Sequence, residues 1–161
     1  MQIQSMMLGA LDRHQAGLQL LAQMYRQKTG LPMPTILRTQ RGKPYFADGA
    51  QHFSVSHTKS RVFCVLSDRP VGIDAEEMDR KVDARLAQKV LSATELEQYD
   101  RAEDKNRALL KFWVLKEALL KCSGEGLHGY PNDTAFSLCD PRLQVMDGCF
   151  VAVIEEDKNA V

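Results

Sequence analysis

The sequence predicts an α+β fold, and three observations lead to it. Apolar residues recur at helical spacing near the start, short β-branched and aromatic runs fill the middle, and helical periodicity returns before a strand-rich end. The 161 residues, 44% hydrophobic, suffice for one core, so a single domain over 1–161 is expected.

Taken in order, residues 8–29 carry Leu11, Leu18, Leu21, Ala22 and Tyr25 three, four and seven apart, with Gly30 and Pro32 supplying the stop. This spacing predicts a first helix over 8–29. From Thr35 to Ala75 the segments TILRT, HFSVS, RVFCVLS and VGIDA are separated by the turn elements RGKP, ADGA and SDRP, which predicts a small sheet. Helical periodicity returns over Val82–Val90. Ser92-Ala-Thr-Glu95 has the Ser-x-x-Glu form of a capping box, and Asp104 opens a longer helix through about Cys122. After Gly129 two or three short strands are expected, FVAVIEE the clearest.

The 21 basic and 21 acidic residues cancel, which argues against nucleic acid or an anionic membrane as a partner held by a global field. No apolar run approaches the ~20 residues of a membrane span and no signal-peptide pattern opens the chain, so a cytoplasmic protein is expected. Cys64, Cys122, Cys139 and Cys149 lack paired spacing and read as reduced thiols.

Within VGIDAEE, Asp74 and Glu76 are two apart on a strand and point to one face. Converging carboxylates suit magnesium or manganese, although a solvated edge strand displays the same pair. In FWVLKEALLK, Glu117 and Lys121 stand four apart on a helix in the order of an intrahelical ion pair. Phe112, Trp113, Leu119 and Leu120 pack that helix, which also admits Glu117 as metal ligand or general base and Lys121 as a cation for phosphate. Arg38, Arg41 and Lys43 cluster in RTQRGKPY, followed by His57 in FSVSHT, and such cations suit phosphate. Alone, a GKP turn is usually a turn and a histidine is usually a satisfied, partly buried one. Glu95 is explained by its cap and Trp113 by packing, while Lys116 reads either as a phosphate contact or as an exposed side chain.

Together these segments resemble the Sfp-type 4′-phosphopantetheinyl transferases of the holo-acyl-carrier-protein synthase superfamily. The motifs are RGKPY at 41–45, FSVSHT at 53–58, VGIDAE at 71–76 and WVLKEALLK at 113–121, with GEGL at 124–127. Ser92–Glu95 and the Arg13-x-x-x-Gly17 pattern match further family elements, so the resemblance covers roughly residues 10–138. It implies two related α/β halves packed as a pseudo-dimer, approximately 1–75 and 76–161. It also implies transfer of phosphopantetheine from coenzyme A to a serine of an apo carrier protein, with release of adenosine 3′,5′-bisphosphate.

Carried over, the resemblance makes Asp74, Glu76 and Glu117 the Mg2+ site, with Mn2+ acceptable to the same ligands, and makes Glu117 and Lys121 catalytic. Lys43, Ser56, His57 and Lys121 would contact the coenzyme's phosphates, and Arg13, Arg38 and Arg41 its 3′-phosphate end. Against the family, the chain is expected to lack the opening strands and one strand near the end. A monomer is expected. The alternative reading is an inactive, reduced relative that docks carrier proteins.

Overall fold

The computed structural model describes residues 1–124 and 134–156. The chain begins with a strand the sequence reading did not foresee, β1 (Gln2–Met7), followed by helix α1 (Arg13–Thr29). The hairpin strands β2 (Ile36–Arg38) and β3 (Pro44–Phe46) come next, then β4 (His52–His57), β5 (Arg61–Ser67) and β6 (Val71–Glu77). A 3-10 turn (Ala84–Leu86) runs into the short helix α2 (Ala87–Val90), followed by α3 (Ala93–Arg101) and the long α4 (Lys105–Ser123). Strands β7 (Leu143–Met146) and β8 (Cys149–Glu155) close the described chain. The mixed helix and strand content agrees with the α+β expectation.

β1 corrects the expectation that opening strands are lacking. It pairs antiparallel with β5 along its whole length, from Gln2 opposite Leu66 to Met7 opposite Arg61. As an edge strand it shows solvent one side, so its Gln, Ser and Met residues lack the β-branched run that marks a central strand. Helix α1 also starts later than residue 8. Gly9 has φ +55° and the Leu11 amide bonds back to the Leu8 carbonyl, making a turn, after which Asp12 caps the helix by accepting from the Gln15 amide at 2.8 Å. The expected stop at Gly30 is present, with φ 74° and its amide on Arg26.

Two three-stranded antiparallel sheets form, in the orders β1-β5-β4 and β6-β8-β7, beside the two-stranded β2-β3 hairpin. Alternation on the strands sorts the core into three apolar layers. Leu20, Leu21 and Met24 of α1 meet Val62, Cys64, Leu66 and Phe53 of the first sheet. Phe63 and Val65 on that sheet's other face meet Ile73, Val151 and Val153 of the second. The second sheet's outer face, with Phe150, Ala152 and Ile154, packs on Leu115 and Ala118 of α4. The order is therefore helix, sheet, sheet, helix. A division at 75/76 would cut β6, whose ladder with β8 places it wholly with the second sheet.

Where the sheets adjoin, β4 meets β6 through side chains. Ser54 Oγ accepts from the Ile73 amide at 3.1 Å and Ser56 Oγ from the Ala75 amide at 3.2 Å. The constant offset of 19 residues means the strands run in the same direction. Serine hydroxyls thus satisfy edge amides of β6 that would otherwise be orphaned.

Candidate active site

Gly72, Asp74 and Glu76 share the face of β6 that α4 covers. A Cβ on Gly72 would lie 2.0 Å from the Ala118 carbonyl oxygen and 2.4 Å from the Cys122 amide nitrogen, inside one turn of the helix ladder. Only glycine allows this approach, and it sets the Glu117–Lys121 turn of α4 beside Asp74. Lys121 Nζ reaches Asp74 Oδ1 at 2.7 Å, and Ser56 Oγ donates to the same oxygen at 2.8 Å. The ammonium is therefore spent on β6 rather than on an intrahelical pair with Glu117. Asp74 is buried, and its second oxygen, Oδ2, has no hydrogen-bond partner.

Burial lifts the Glu117 carboxyl above its ordinary value, with Asp74 adding to the rise and Lys121 opposing it. Glu76 is raised by burial too, Arg80 opposing and Asp74 adding. Glu76 is engaged by Arg80 in an ion pair. Among the described residues no three His, Cys, Asp or Glu side chains stand close enough to make a finished metal site. The donor set nevertheless suits a hard cation: an orphaned buried carboxylate oxygen lies near two carboxyls whose charged form burial disfavours.

Facing α4, the β2-β3 hairpin supplies the cations. Arg38 Nη1 donates to the Gly42 carbonyl at 2.9 Å and Lys43 Nζ to the Cys122 carbonyl at the end of α4. Burial holds the Lys43 ammonium below its ordinary value. Its stem crosses Gly124, the helix C-cap with φ 71°, where an added Cβ would come within 2.7 Å of Lys43 Cδ. His57 is held low by desolvation, then by Lys121 and Arg13, with His14 acting in the same direction.

Between hairpin, α1, β4 and α4 lies a cavity of about 720 Å3. Arg38, Arg41, Lys43, His57, Glu117 and Lys121 line its polar side, and Leu18, Leu21, Ile36, Phe53, Val55 and Leu120 its apolar side. Of the residues singled out from sequence, these six share one chamber. Asp74 and Ser56 lie behind it, joined to it through Lys121, while Glu76 turns to Arg80 and Arg13 stands outside the lining beside His57. His14 and the apolar wall escaped the sequence reading. The signal for His14 was its place next to Arg13 in the first turn of α1.

Lys116 is neither exposed nor turned to a phosphate. It is fully buried and pairs with Glu95 at 2.9 Å. Glu95 completes the capping box at Ser92 and also accepts from the Phe136 amide at 3.0 Å. Trp113 packs against the α4 core, as expected. The four cysteines are free thiols, with Cys64 pushed up to about 12 by burial. Residues 125–127 of GEGL lie outside the described residues. Among the described residues no helix is long and apolar enough to cross a membrane.

A family model described as the 4′-phosphopantetheinyl transferase superfamily matches residues 70–150. Among curated proteins, the chain is similar to the 4′-phosphopantetheinyl transferase psf-1 of Bacillus pumilus, 32% identical over 122 residues that make 72% of this chain and 52% of the relative. It is also similar to the 4′-phosphopantetheinyl transferase of Bacillus subtilis, 28% identical over 127 residues, 73% of this chain and 56% of the relative. The 4′-phosphopantetheinyl transferase gsp of Aneurinibacillus migulanus is 30% identical over 106 residues, 63% of this chain and 44% of the relative. The chain thus spans about half the length of the curated relatives it matches. The matched region holds both β6 with its acids and the α4 turn that faces them, and the chain belongs to the 4′-phosphopantetheinyl transferase superfamily.

Proposed function

We propose that this chain transfers the 4′-phosphopantetheine arm of coenzyme A to a serine of an apo carrier protein, with magnesium. The observation that carries the reading is the chamber of about 720 Å3 itself, in which hairpin cations and His57 face Glu117 and Lys121, with Asp74 behind it on Lys121. An anionic, partly apolar ligand of coenzyme size fits such a lining, its phosphates toward the cations and its base toward Leu18, Ile36 and Phe53.

Asp74, Glu76 and Glu117 would hold the magnesium, for which Glu76 exchanges Arg80 as its partner. When bound, the ion would supply charge neutralisation at the pyrophosphate. Lys43, His57 and Lys121 bind phosphate oxygens, and Arg38 and Arg41 the 3′-phosphate end. Glu117, whose carboxyl burial makes more basic, takes the proton of the carrier serine hydroxyl. The serine oxygen then bonds to the phosphorus nearest pantetheine as the pyrophosphate P–O bond breaks, and adenosine 3′,5′-bisphosphate departs.

The proposal extends to two related halves. Its support is a shared order of elements: strand, long helix and a closing pair of strands, with the last strand in the middle of its sheet both times. The test of function is the intact mass of an apo acyl carrier protein after incubation with this chain, coenzyme A and magnesium. A gain of about 340 Da that a chelator abolishes is expected. No gain on fatty-acid, polyketide or peptidyl carriers would reject the transferase reading in favour of carrier docking alone.

A further inference from the structure

We propose that Ser56 is a positioning residue for Asp74: its buried hydroxyl pins one carboxylate oxygen so that the other is presented, unpartnered, to a divalent cation. The inference rests on the metal-assisted reading above. It differs from the family resemblance, which assigns Ser56 to the coenzyme's phosphates.

A serine hydroxyl has one hydrogen to donate. Here that hydrogen goes to Asp74 Oδ1 at 2.8 Å, while the serine's own Oγ accepts from the Ala75 amide at 3.2 Å. Ser56 is 3% exposed, is not among the residues lining the chamber, and meets β6 through Asp74 and the Ala75 amide. Its donor capacity is committed to the carboxylate.

The consequence for Asp74 is an unequal pair of oxygens. Oδ1 receives both Ser56 and Lys121, and Oδ2, though buried, receives nothing. A carboxylate turns about its last torsion between two nearly equivalent states. With Lys121 alone, either oxygen can take the ammonium. The serine removes that freedom, because its own oxygen is tied to the β6 backbone and lies on one side of the carboxylate only. Partners of this kind, one step behind a ligand, orient it and sharpen its affinity.

The protein contains its own control. Ser54, two residues earlier on the same face of β4, accepts the Ile73 amide at 3.1 Å, the same backbone service without the carboxylate. A serine needed only to join the strands would behave alike at both positions.

The experiment is titration of the full chain with Mn2+, without coenzyme A, followed by electron paramagnetic resonance of the free ion. Urea unfolding of the same samples runs in parallel. Ser56→Ala should weaken Mn2+ about 10-fold or more, and Ser54→Ala should stay within about two-fold of the parent at a comparable loss of stability. Ser56→Thr, which keeps a hydroxyl, should recover most of the affinity. If Ser56→Ala does not fold, Ser56→Cys keeps the bulk with a poor donor and makes the same comparison. Equal Mn2+ affinity in the Ser54 and Ser56 variants overturns the positioning role while leaving the metal site standing. A parent protein that binds no Mn2+ overturns both.

Discussion

Helix α4 carries two lysine–carboxylate pairs five residues apart that differ in one respect. Lys116 and Glu95 are fully buried at 2.9 Å, and every oxygen of the carboxylate is met: Oε2 by Lys116 and the Ser92 amide at 2.7 Å, Oε1 by the Phe136 amide at 3.0 Å. Lys121 and Asp74 lie at 2.7 Å with side chains 33% and 9% exposed, and one oxygen of Asp74 has no partner. The first pair joins α3, α4 and the segment entering β7 and has nothing left to offer a ligand. The second is incomplete, on a cavity wall. In one helix, the closed pair has every carboxylate oxygen met and the open pair leaves one without a partner.

Breaking the closed pair should give the largest effect. Glu95→Gln leaves Lys116 buried without a counter-charge and should cost about 3–5 kcal/mol, read from urea unfolding. A cost near zero would erase the contrast. Replacing both partners by apolar residues should recover only part, because the Ser92 and Phe136 amides lose their acceptor.

The open pair should respond in the opposite sense. Lys121→Met should cost less than Glu95→Gln, about 1–3 kcal/mol, since solvent reaches the ammonium and Ser56 still donates to the buried Asp74. Coenzyme A affinity with magnesium should nevertheless fall about 10- to 100-fold by calorimetry. A loss of stability with unchanged affinity would make Lys121 a second scaffold lysine.

A smaller effect separates cap from pair. Ser92→Ala removes the side-chain half of the capping box and should cost about 1 kcal/mol while Glu95 still holds Lys116, with no change in coenzyme affinity.

The smallest effect is a proton. His57 should titrate by NMR below its ordinary 6.5, because desolvation, Lys121 and Arg13 disfavour imidazolium. In the free protein the stability tied to this group is full above 6.5 and declines as pH falls through the depressed value. A bound phosphate reverses the charge around the ring and raises its midpoint. Coenzyme binding should therefore take up a proton, and affinity should rise as pH falls through the window between the two midpoints. A midpoint unmoved by coenzyme A would remove His57 from the chamber's anion contacts.

Elements with a repeating pattern or a local cap were legible from sequence. β4, β5, β6 and β8, the Ser92 box and the Asp104 start of α4 all announce themselves within a few residues. The two-residue spacing of Asp74 and Glu76 correctly put both on one face of a strand, and the hairpin cations do meet the Lys121 turn of α4 across one cavity. What stayed hidden depends on partners distant in sequence. β1 is a strand because β5 offers an edge. Lys116 carries a charge, so composition places it outside, yet it lies four residues from Phe112 and four from Leu120 on the buried stripe. Its carboxylate is 21 residues away, behind a cap that already explained it. The engagement of Glu76 by Arg80 and of Lys43 by the end of α4 likewise arises from folded proximity.

Gly72 gives the arrangement an evolutionary consequence. Its missing side chain lets the helix rest on the strand, and the same contact sets how far Lys121 and Glu117 stand from Asp74. If the proposed site is the active one, selection for folding and selection for activity meet at this position on a single hydrogen atom. Variants screened only for a folded core would then already be screened for the spacing of the proposed site.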